Sequence, residues 1–388
     1  MGELDSKGTH MNIVYAKKFR LPDRSANMIQ GLNMVASFVK NGVLVNSLIS
    51  FADEISDRSF YLQKTYGLSE NSLGNSTFIS KRARGLRYSM WLIRCIFGQS
   101  PAPVVFTREN TELRKALLLR FISRRPIQII HEVHKIPSFD PSDKGNTHEK
   151  NNNIFKKLSQ ANGLIFIDED LRDRVLAKLN SETPTLVAPS GVNIAAFSSR
   201  NTSLPSSEIV LGYFGNITEE KGIFLLADAL RYLPKKYRLK CVGRVTSETR
   251  TEMLRRIGND PQRINFTGYL NPADLPNAMS DVHISVIPSI SHNKFLSPLK
   301  LAESLALGLP IVCTPVEHLK RLVQNKKHAI FANSFHPQDL ANAISQLGNA
   351  PDQLSQMSIE NRAHAQLFSW DARARHIIEF IKSLPVRR

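Results

Sequence analysis

Cysteine is scarce in this chain: Cys95, Cys241 and Cys313 are the three present, odd in number and far apart. That excludes a disulfide framework and the paired spacings of a structural zinc site, and the three thiols are expected to be buried. Long apolar runs are also missing, none approaching the roughly 20 residues of a membrane-spanning helix. There is no G-x-x-x-x-G-K-[S/T] loop and no G-x-G-x-x-G after the first strand, so neither an ATPase nor a nicotinamide enzyme is supported. No solenoid-period repeat and no low-complexity tract occurs. Met1–His10 lacks apolar periodicity and reads as a leader ahead of Met11, and the strand-like Asn12-Ile-Val-Tyr-Ala16 is no signal peptide, so the expected location is the cytoplasm.

Negative charge is the other shortage. Lys and Arg number 51 against 34 Asp and Glu, a formal charge of +17. The excess is +11 over residues 11–200 and +7 over residues 201–388, so it is no single basic tail. An anionic substrate, an anionic membrane surface and nucleic acid all remain open.

What is present alternates. A strand over 12–16, a loop over Lys17–Arg24, a helix over Ser25–Asn41 stopped by Gly42, and a strand over Val43–Ile49 open a strand–helix–strand unit. Strands follow at Pro103–Thr107, Ile127–His131, Gly163–Ile167 and Thr185–Ala188, with helices over Glu112–Ser123, Glu149–Ala161 and Asp170–Leu179. Asn201–Ser207, rich in Ser, Thr and Asn, is the expected linker. The same rhythm then restarts, with strands at Ile209–Phe214, Tyr237–Val242, Ile264–Thr267, Val282–Ile287, Ile311–Thr314 and Ala329–Phe331. Helices are expected over Gly222–Tyr232, Glu248–Ile257, Asn271–Met279 and Val316–Val323. This predicts an α/β protein of two doubly wound domains, residues 11–200 and 201–368, with ligands outside the carboxyl ends of the strands, in a cleft between two facing sheets. Residues 369–388 are expected as a last helix packing back on the first domain.

Ser297-Pro-Leu-Lys-Leu-Ala-Glu-Ser-Leu-Ala-Leu-Gly-Leu-Pro310 concentrates chemistry. Pro298 suits a first helical turn, and free N–H groups there, the helix dipole and Lys300 make a seat for a phosphate or diphosphate. Glu303 stands in an otherwise apolar segment, where an unpaired carboxylate costs several kcal/mol, roughly. Sugar hydroxyls could answer it, or a backbone or Arg partner in a core.

Tyr213-Phe-Gly-Asn-Ile-Thr-Glu-Glu-Lys-Gly222, Val242-Gly-Arg244, Phe266-Thr-Gly-Tyr269, Val286-Ile-Pro-Ser289 and the Ser297–Pro310 stretch follow in an order that resembles the retaining GT-B glycosyltransferases of family 4. Pro189-Ser-Gly-Val-Asn193 with Phe197, and Phe368-Ser-Trp370, are similar to that family's marks before the linker and the last helix. The resemblance implies a nucleotide-sugar donor, a UDP- or GDP-sugar being expected, a glycan or lipid-linked acceptor, and no further cofactor or metal. It implies that Lys221 neutralises the donor diphosphate, that Glu303 holds the ribose hydroxyls, and that Ser297, Pro298, Leu299 and Lys300 face the phosphates. Gly215 would let backbone approach them; Asn216 replaces a family arginine and Phe295 a family glutamate. Gly243, Arg244 and Tyr269 would border the base. In the first half, Ile127-Gln-Ile-Ile-His-Glu-Val-His134 resembles the strand end whose last histidine lies beside the transferred sugar. That makes His134 a catalytic candidate alongside Lys221 and Glu303, with Glu132 supporting its loop and His131 structural. Asn27 and Arg108 are further acceptor-side candidates.

Residues 81–97, wound as a helix, put Lys81, Arg84, Arg87 and Arg94 on one side and Leu86, Met90, Ile93 and Phe97 on the other. Such a segment can meet the inner face of an anionic membrane, or its apolar side can be domain core. The expected process is synthesis of a cell-surface glycan or glycolipid. A natural-product glycosyltransferase and a non-catalytic anion or nucleic-acid binder are the alternatives; no basic motif of a known nucleic-acid module is present, so no specific nucleic acid is expected.

Overall fold

A computed structural model describes residues 11–23, 25–52, 55–80, 85–134, 147–179, 181–197, 208–271, 273–290 and 299–385. The chain divides into two compact units. The first runs to Pro189 and takes up again at Trp370, and the second is Ser190–Ser369. The first holds β1 Asn12–Leu21, β2 Leu44–Phe51, β3 Thr77–Ser80, β4 Val104–Thr107, β5 Gln128–Val133, β6 Gly163–Phe166 and β7 Thr185–Val187. They form one parallel sheet in the order β3-β2-β1-β4-β5-β6-β7. The second holds β8 Ile209–Phe214, β9 Tyr237–Val242, β10 Ile264–Gly268, β11 Ile284–Ile287, β12 Ile311–Cys313 and β13 Ile330–Phe331. These are also parallel, ordered β10-β9-β8-β11-β12-β13. Every residue of β4, β6 and β11 is buried, as strands covered on both faces must be, and this is why they read as unbroken apolar runs. In each sheet the chain order reverses beside the first strand, between β1 and β4 and between β8 and β11, the positions where doubly wound sheets bind ligands.

The stretch expected as a loop after residue 16 is instead strand. After a register shift between Val14 and Lys18, Lys18–Leu21 pair with Leu48–Phe51. Phe19 and Leu21 are buried while Arg20 is exposed, an alternation that the neighbouring lysines mask. Lys17 is itself buried, its Nζ donating to Glu109 Oε1 at 3.1 Å. The helix Arg58–Tyr66 and β3 have no counterpart in the sequence reading, although the helix carries local signals: Asp57 accepts from Phe60 N at its start, and Gly67 closes it with φ 69°. Of the helix expected over Asn271–Met279 only Leu275–Ala278 forms. Cys241 and Cys313 are buried, but Cys95 is partly exposed.

Residues 190–197 belong to the second unit, ahead of the expected linker at 201–207, which lies outside the described residues. Val192 bonds backbone to backbone with Phe368, and Phe197 packs in one core with Leu301, Leu305 and Phe368. The helix Trp370–Ser383 lies in the first unit, where Trp370, Ala374, Ile377 and Ile381 share a core with Leu32 and Val35 of the helix Ala26–Lys40, and Asp371 pairs with Lys40.

The helix Gly85–Phe97 turns Tyr88, Leu92 and Ile96 into the sheet. The Leu86, Met90, Ile93 and Phe97 side is exposed, so it is not domain core. Lys81 and Arg84 lie outside the described residues.

Candidate functional site

At the second sheet's switch point the exit of β8 supplies Gly215 and Asn216, and the exit of β11 supplies Pro288 and Ser289. Two glycines bring backbone together there. A Cβ on Gly243, whose φ is 147°, would lie 2.0 Å from the carbonyl oxygen of Gly215. Gly222, with φ 77°, backs onto Pro288, where a Cβ would meet the carbonyl oxygen at 1.7 Å. Gly222 thus sets the adjacent Lys221 beside the end of β11.

Lys300 enters the same place from the helix Leu299–Ala306. That helix is fixed from below: Ser304 Oγ donates to Lys300 O at 2.7 Å and meets Ser285 Oγ of β11 at 2.6 Å. The Lys300 ammonium donates to Tyr213 Oη at 2.6 Å and lies 3.9 Å from that ring's centroid. Tyr213 Oη in turn donates to Asn216 O at 2.9 Å. A Cβ on Gly215 would be 2.9 Å from Lys300 Cε, so the ammonium arm lies across that glycine. Burial, and then the neighbouring Lys221 charge, bring the Lys300 pKa down to about 7. Two cations therefore converge on a site where, among the described residues, no carboxylate is hydrogen-bonded to either. Glu303, one helical turn on, is half-buried, and burial raises its pKa to about 7 against the opposing pull of Lys300. Among the described residues its carboxylate has no hydrogen-bond or ion-pair partner, so the backbone or Arg partner of a core glutamate is absent there.

Arg244 and Tyr269 follow β9 and β10 and come together, the guanidinium 4.7 Å from the ring centroid, with Tyr269 37% exposed. Gly215 and Asn216 are exposed, and Leu299 is half-buried at the head of its helix. Ser297 and Pro298, the expected helix start, and Phe295 lie outside the described residues. Tyr213 went unnoticed as a functional residue because it reads as a core aromatic; its place two residues before Gly215 was the available signal.

The first unit's switch point gathers a second cluster, from the ends of β4 and β5. Glu132 is 1% exposed and accepts from Arg373 Nη2 at 2.6 Å, with Arg108 Nε 3.7 Å away. His134 Nε2 lies 2.7 Å from Glu132 Oε1 and 2.6 Å from Arg108 Nη2. A neutral imidazole can accept from Arg108 at that nitrogen or donate to Glu132, not both. Burial and then the Arg108 charge hold the His134 pKa below its ordinary range despite Glu132, so the ring is neutral at pH 7. Burial alone would raise the Glu132 pKa, but Arg108 and Arg373 reverse that and hold it well below the ordinary value. Arg108, in the loop directly after β4, also donates to Gln30 Oε1 at 2.7 Å and to Asn27 O at 3.4 Å, so it is a bonded part of the cluster. Asn27 stands exposed on the first turn of the helix Ala26–Lys40, which Ser25 caps through Met28 N. Three of the four candidates of this half, Arg108, Glu132 and His134, meet side chain to side chain, and Asn27 joins through its carbonyl. Gln30 and Arg373 are the members that sequence reading missed, since nothing local marks a partner 241 residues away. His131 is buried and bonded to Thr107 Oγ1 at 2.7 Å, and burial lowers its pKa to about 3, a structural role.

The profile of the family "Glycosyl transferases group 1" matches residues 208–349. That matched stretch lies wholly inside the second unit. Among curated relatives, the D-inositol 3-phosphate glycosyltransferase of Corynebacterium urealyticum is 26% identical over 196 residues, 48% of this chain and 46% of that one. A candidate teichuronic acid biosynthesis glycosyltransferase of Bacillus subtilis is 26% identical over 202 residues, 49% of this chain and 48% of that one. The chain thus spans about half the length of these relatives. Among solved structures, Anabaena HepE in complex with UDP and glucose is 17% identical, with a TM-score of 0.68 over 97% of this chain and 100% of that one. At that identity the likeness is one of fold, and the two units together have the two-domain GT-B fold.

Proposed function

We propose that this protein is a glycosyltransferase that moves a sugar from a nucleoside diphosphate donor to an acceptor hydroxyl, with retention at the anomeric carbon, in the synthesis of a cell-surface glycan or glycolipid. The observation that carries the reading is the pairing at one switch point of two converging ammonium groups, Lys221 and Lys300, with the Glu303 carboxylate, which has no hydrogen-bond or ion-pair partner among the described residues. The cations suit a diphosphate and the carboxylate suits the ribose hydroxyls one helical turn away. As the bond from the anomeric carbon to the diphosphate oxygen breaks, negative charge grows on the leaving group, and Lys300 and Lys221 stabilise it. No metal ligand is called for in this reading. Arg244 and Tyr269 form the border for the base. The first unit supplies the acceptor side, where the neutral His134 is oriented by Arg108 and Glu132. The surface-glycan assignment is supported by the relative from Bacillus subtilis, and a UDP-sugar by the UDP in the Anabaena structure. A thermal-shift panel of UDP, GDP, dTDP and ADP sugars tests the reading: stabilisation by one nucleotide-sugar class is expected, and no shift with any of them overturns it.

Glu303→Gln is expected to weaken donors about tenfold while leaving inorganic diphosphate binding unchanged, since one charge-assisted hydrogen bond contributes about 1.5–3 kcal/mol. Equal affinity for UDP and its 2′,3′-dideoxy analogue in the parent protein would make Glu303 structural.

Donor affinity should also depend on pH around neutrality. A bound diphosphate favours the Lys300 ammonium and raises its pKa from the free protein's value near 7, so binding takes up a proton and affinity falls as pH rises through 7. Glu303 acts in the opposite sense, because the carboxylate that accepts from ribose forms only as pH rises through about 7. A maximum near pH 7 is expected in isothermal titration, with Lys300→Met removing the alkaline limb and Glu303→Gln the acid limb; a flat profile would exclude both roles.

A further inference from the structure

The helix Gly85–Phe97 leaves Leu86 at 75%, Met90 at 61%, Ile93 at 44% and Phe97 at 46% exposure. Spaced four, three and four apart, they form one stripe opposite the buried Tyr88, Leu92 and Ile96. The helix Asn110–Ser123 does the same with Leu118 at 55%, Phe121 at 82% and Ile122 at 61%. The two helices lie side by side: Lys115 Nζ sits 5.0 Å from the Tyr88 ring centroid, and Arg125 Nη1 donates to Phe97 O at 3.2 Å. A display of this many large apolar side chains on two neighbouring helices marks an interaction surface rather than ordinary surface scatter.

Charge says what the surface meets. Arg87, Arg94, Arg114 and Arg124 are exposed around the apolar residues. Glu112 is the one carboxylate in either helix, and it is fully buried beneath them, 3.1 Å from Lys115 Nζ and 3.4 Å from Lys18 Nζ. The solvent faces of both helices are therefore apolar and basic, with no negative side chain. A second copy of the chain docking on this face would set the same arginines against one another. A lipid surface with anionic headgroups takes both features at once, apolar side chains in the acyl boundary and guanidiniums on the phosphates. No described helix is long and apolar enough to cross a membrane, which leaves a surface-lying attachment. We infer that the helices Gly85–Phe97 and Asn110–Ser123 together form a docking surface for an anionic bilayer.

The test is co-sedimentation of the full chain, without donor, with phosphatidylcholine vesicles that contain or lack phosphatidylserine, at low and high salt. Binding is expected only with phosphatidylserine and should weaken with salt. The double variants Met90→Ser/Phe97→Ser and Phe121→Ser/Ile122→Ser should each lose about tenfold in vesicle affinity or more, as expected when two buried apolar side chains are removed from an interfacial helix. Arg87→Gln/Arg114→Gln should lose affinity for anionic vesicles and part of the salt dependence. All these positions are exposed, and parent-like cooperative melting of each variant separates lost docking from lost folding. Absence of binding by the parent, equal binding to neutral vesicles, or parent-like binding by both apolar variants would overturn the proposal. So would self-association in sedimentation velocity that Phe121→Ser/Ile122→Ser abolishes in a protein that ignores vesicles. Because no donor is present, the result is independent of the proposed transfer reaction.

Discussion

Replacing Lys300 with alanine is expected to lower sugar transfer about 100- to 1,000-fold, the range seen when one preorganised group is removed from a site of developing charge. The preorganisation is visible. The ammonium is held by Tyr213 Oη at 2.6 Å, across Gly215, on a helix anchored to β11 by the contact between Ser304 and Ser285. The group therefore needs no rearrangement when the diphosphate leaves, and water cannot supply an equal substitute at a fixed position. Affinity for the nucleoside diphosphate should fall with the rate, while affinity for the bare nucleoside should not change; titration calorimetry with UDP and uridine, or the corresponding pair for the preferred base, reads this directly. Lys221→Ala should act in the same direction and less strongly, because Lys221 has no comparable anchor among the described residues. Equal losses for nucleoside and nucleoside diphosphate would show that Lys300 supports the fold of the site rather than the phosphates.

The largest effect on stability is expected from Glu132→Leu. That carboxylate is 1% exposed and lies among Arg108, Arg373 and His134. Leucine would leave two buried guanidiniums without their counter-ion, and breaking a buried pair from one side costs about 3–5 kcal/mol. The change should appear as a lower denaturant midpoint for the first unit, with His134 no longer held in place. Removing charge from both sides, in Glu132→Leu/Arg373→Met, should recover part of the loss, which a simple packing defect would not do. The pH dependence has a definite sign. The Glu132 pKa is held well below its ordinary 4.5 in the folded chain, so its contribution is complete above that value and is lost as pH falls through the folded-state pKa. Acid should therefore unfold the parent more steeply than the double variant.

How much of this could be read without coordinates follows from the range of the forces involved. Parallel strands covered on both faces must be apolar throughout, so Ile209–Phe214 stands out in the sequence with the bounds seen in the structure. Tyr237–Val242 stands out by alternation instead, Arg238 exposed and Lys240 half-buried between the buried Tyr237, Leu239 and Cys241. The ordered segments from Tyr213 to Pro310 carry the groups of the proposed donor site, because a diphosphate seat is built from local features: a glycine, a lysine after a turn, a helix start. Where local pattern and tertiary demand disagree, reading fails. Lys17 and Lys18 look like a loop, yet burial of Phe19 and Leu21 draws the strand onward, and Glu109 and Glu112, brought alongside by the fold, answer the two lysines.

By itself, the sequence determined the doubly wound architecture, the basic character of both units, and the identities of the groups at the second switch point, since each of these rests on periodicity, composition or short spacing. Only tertiary structure decided that Tyr213 holds Lys300, that Glu303 has no described partner, and that Arg373 reaches Glu132 across 241 positions of chain. It also decided which stripe of residues 85–97 is core. Helical spacing shows that two faces exist, but which one turns inward depends on the sheet beneath, and that sheet took Tyr88, Leu92 and Ile96.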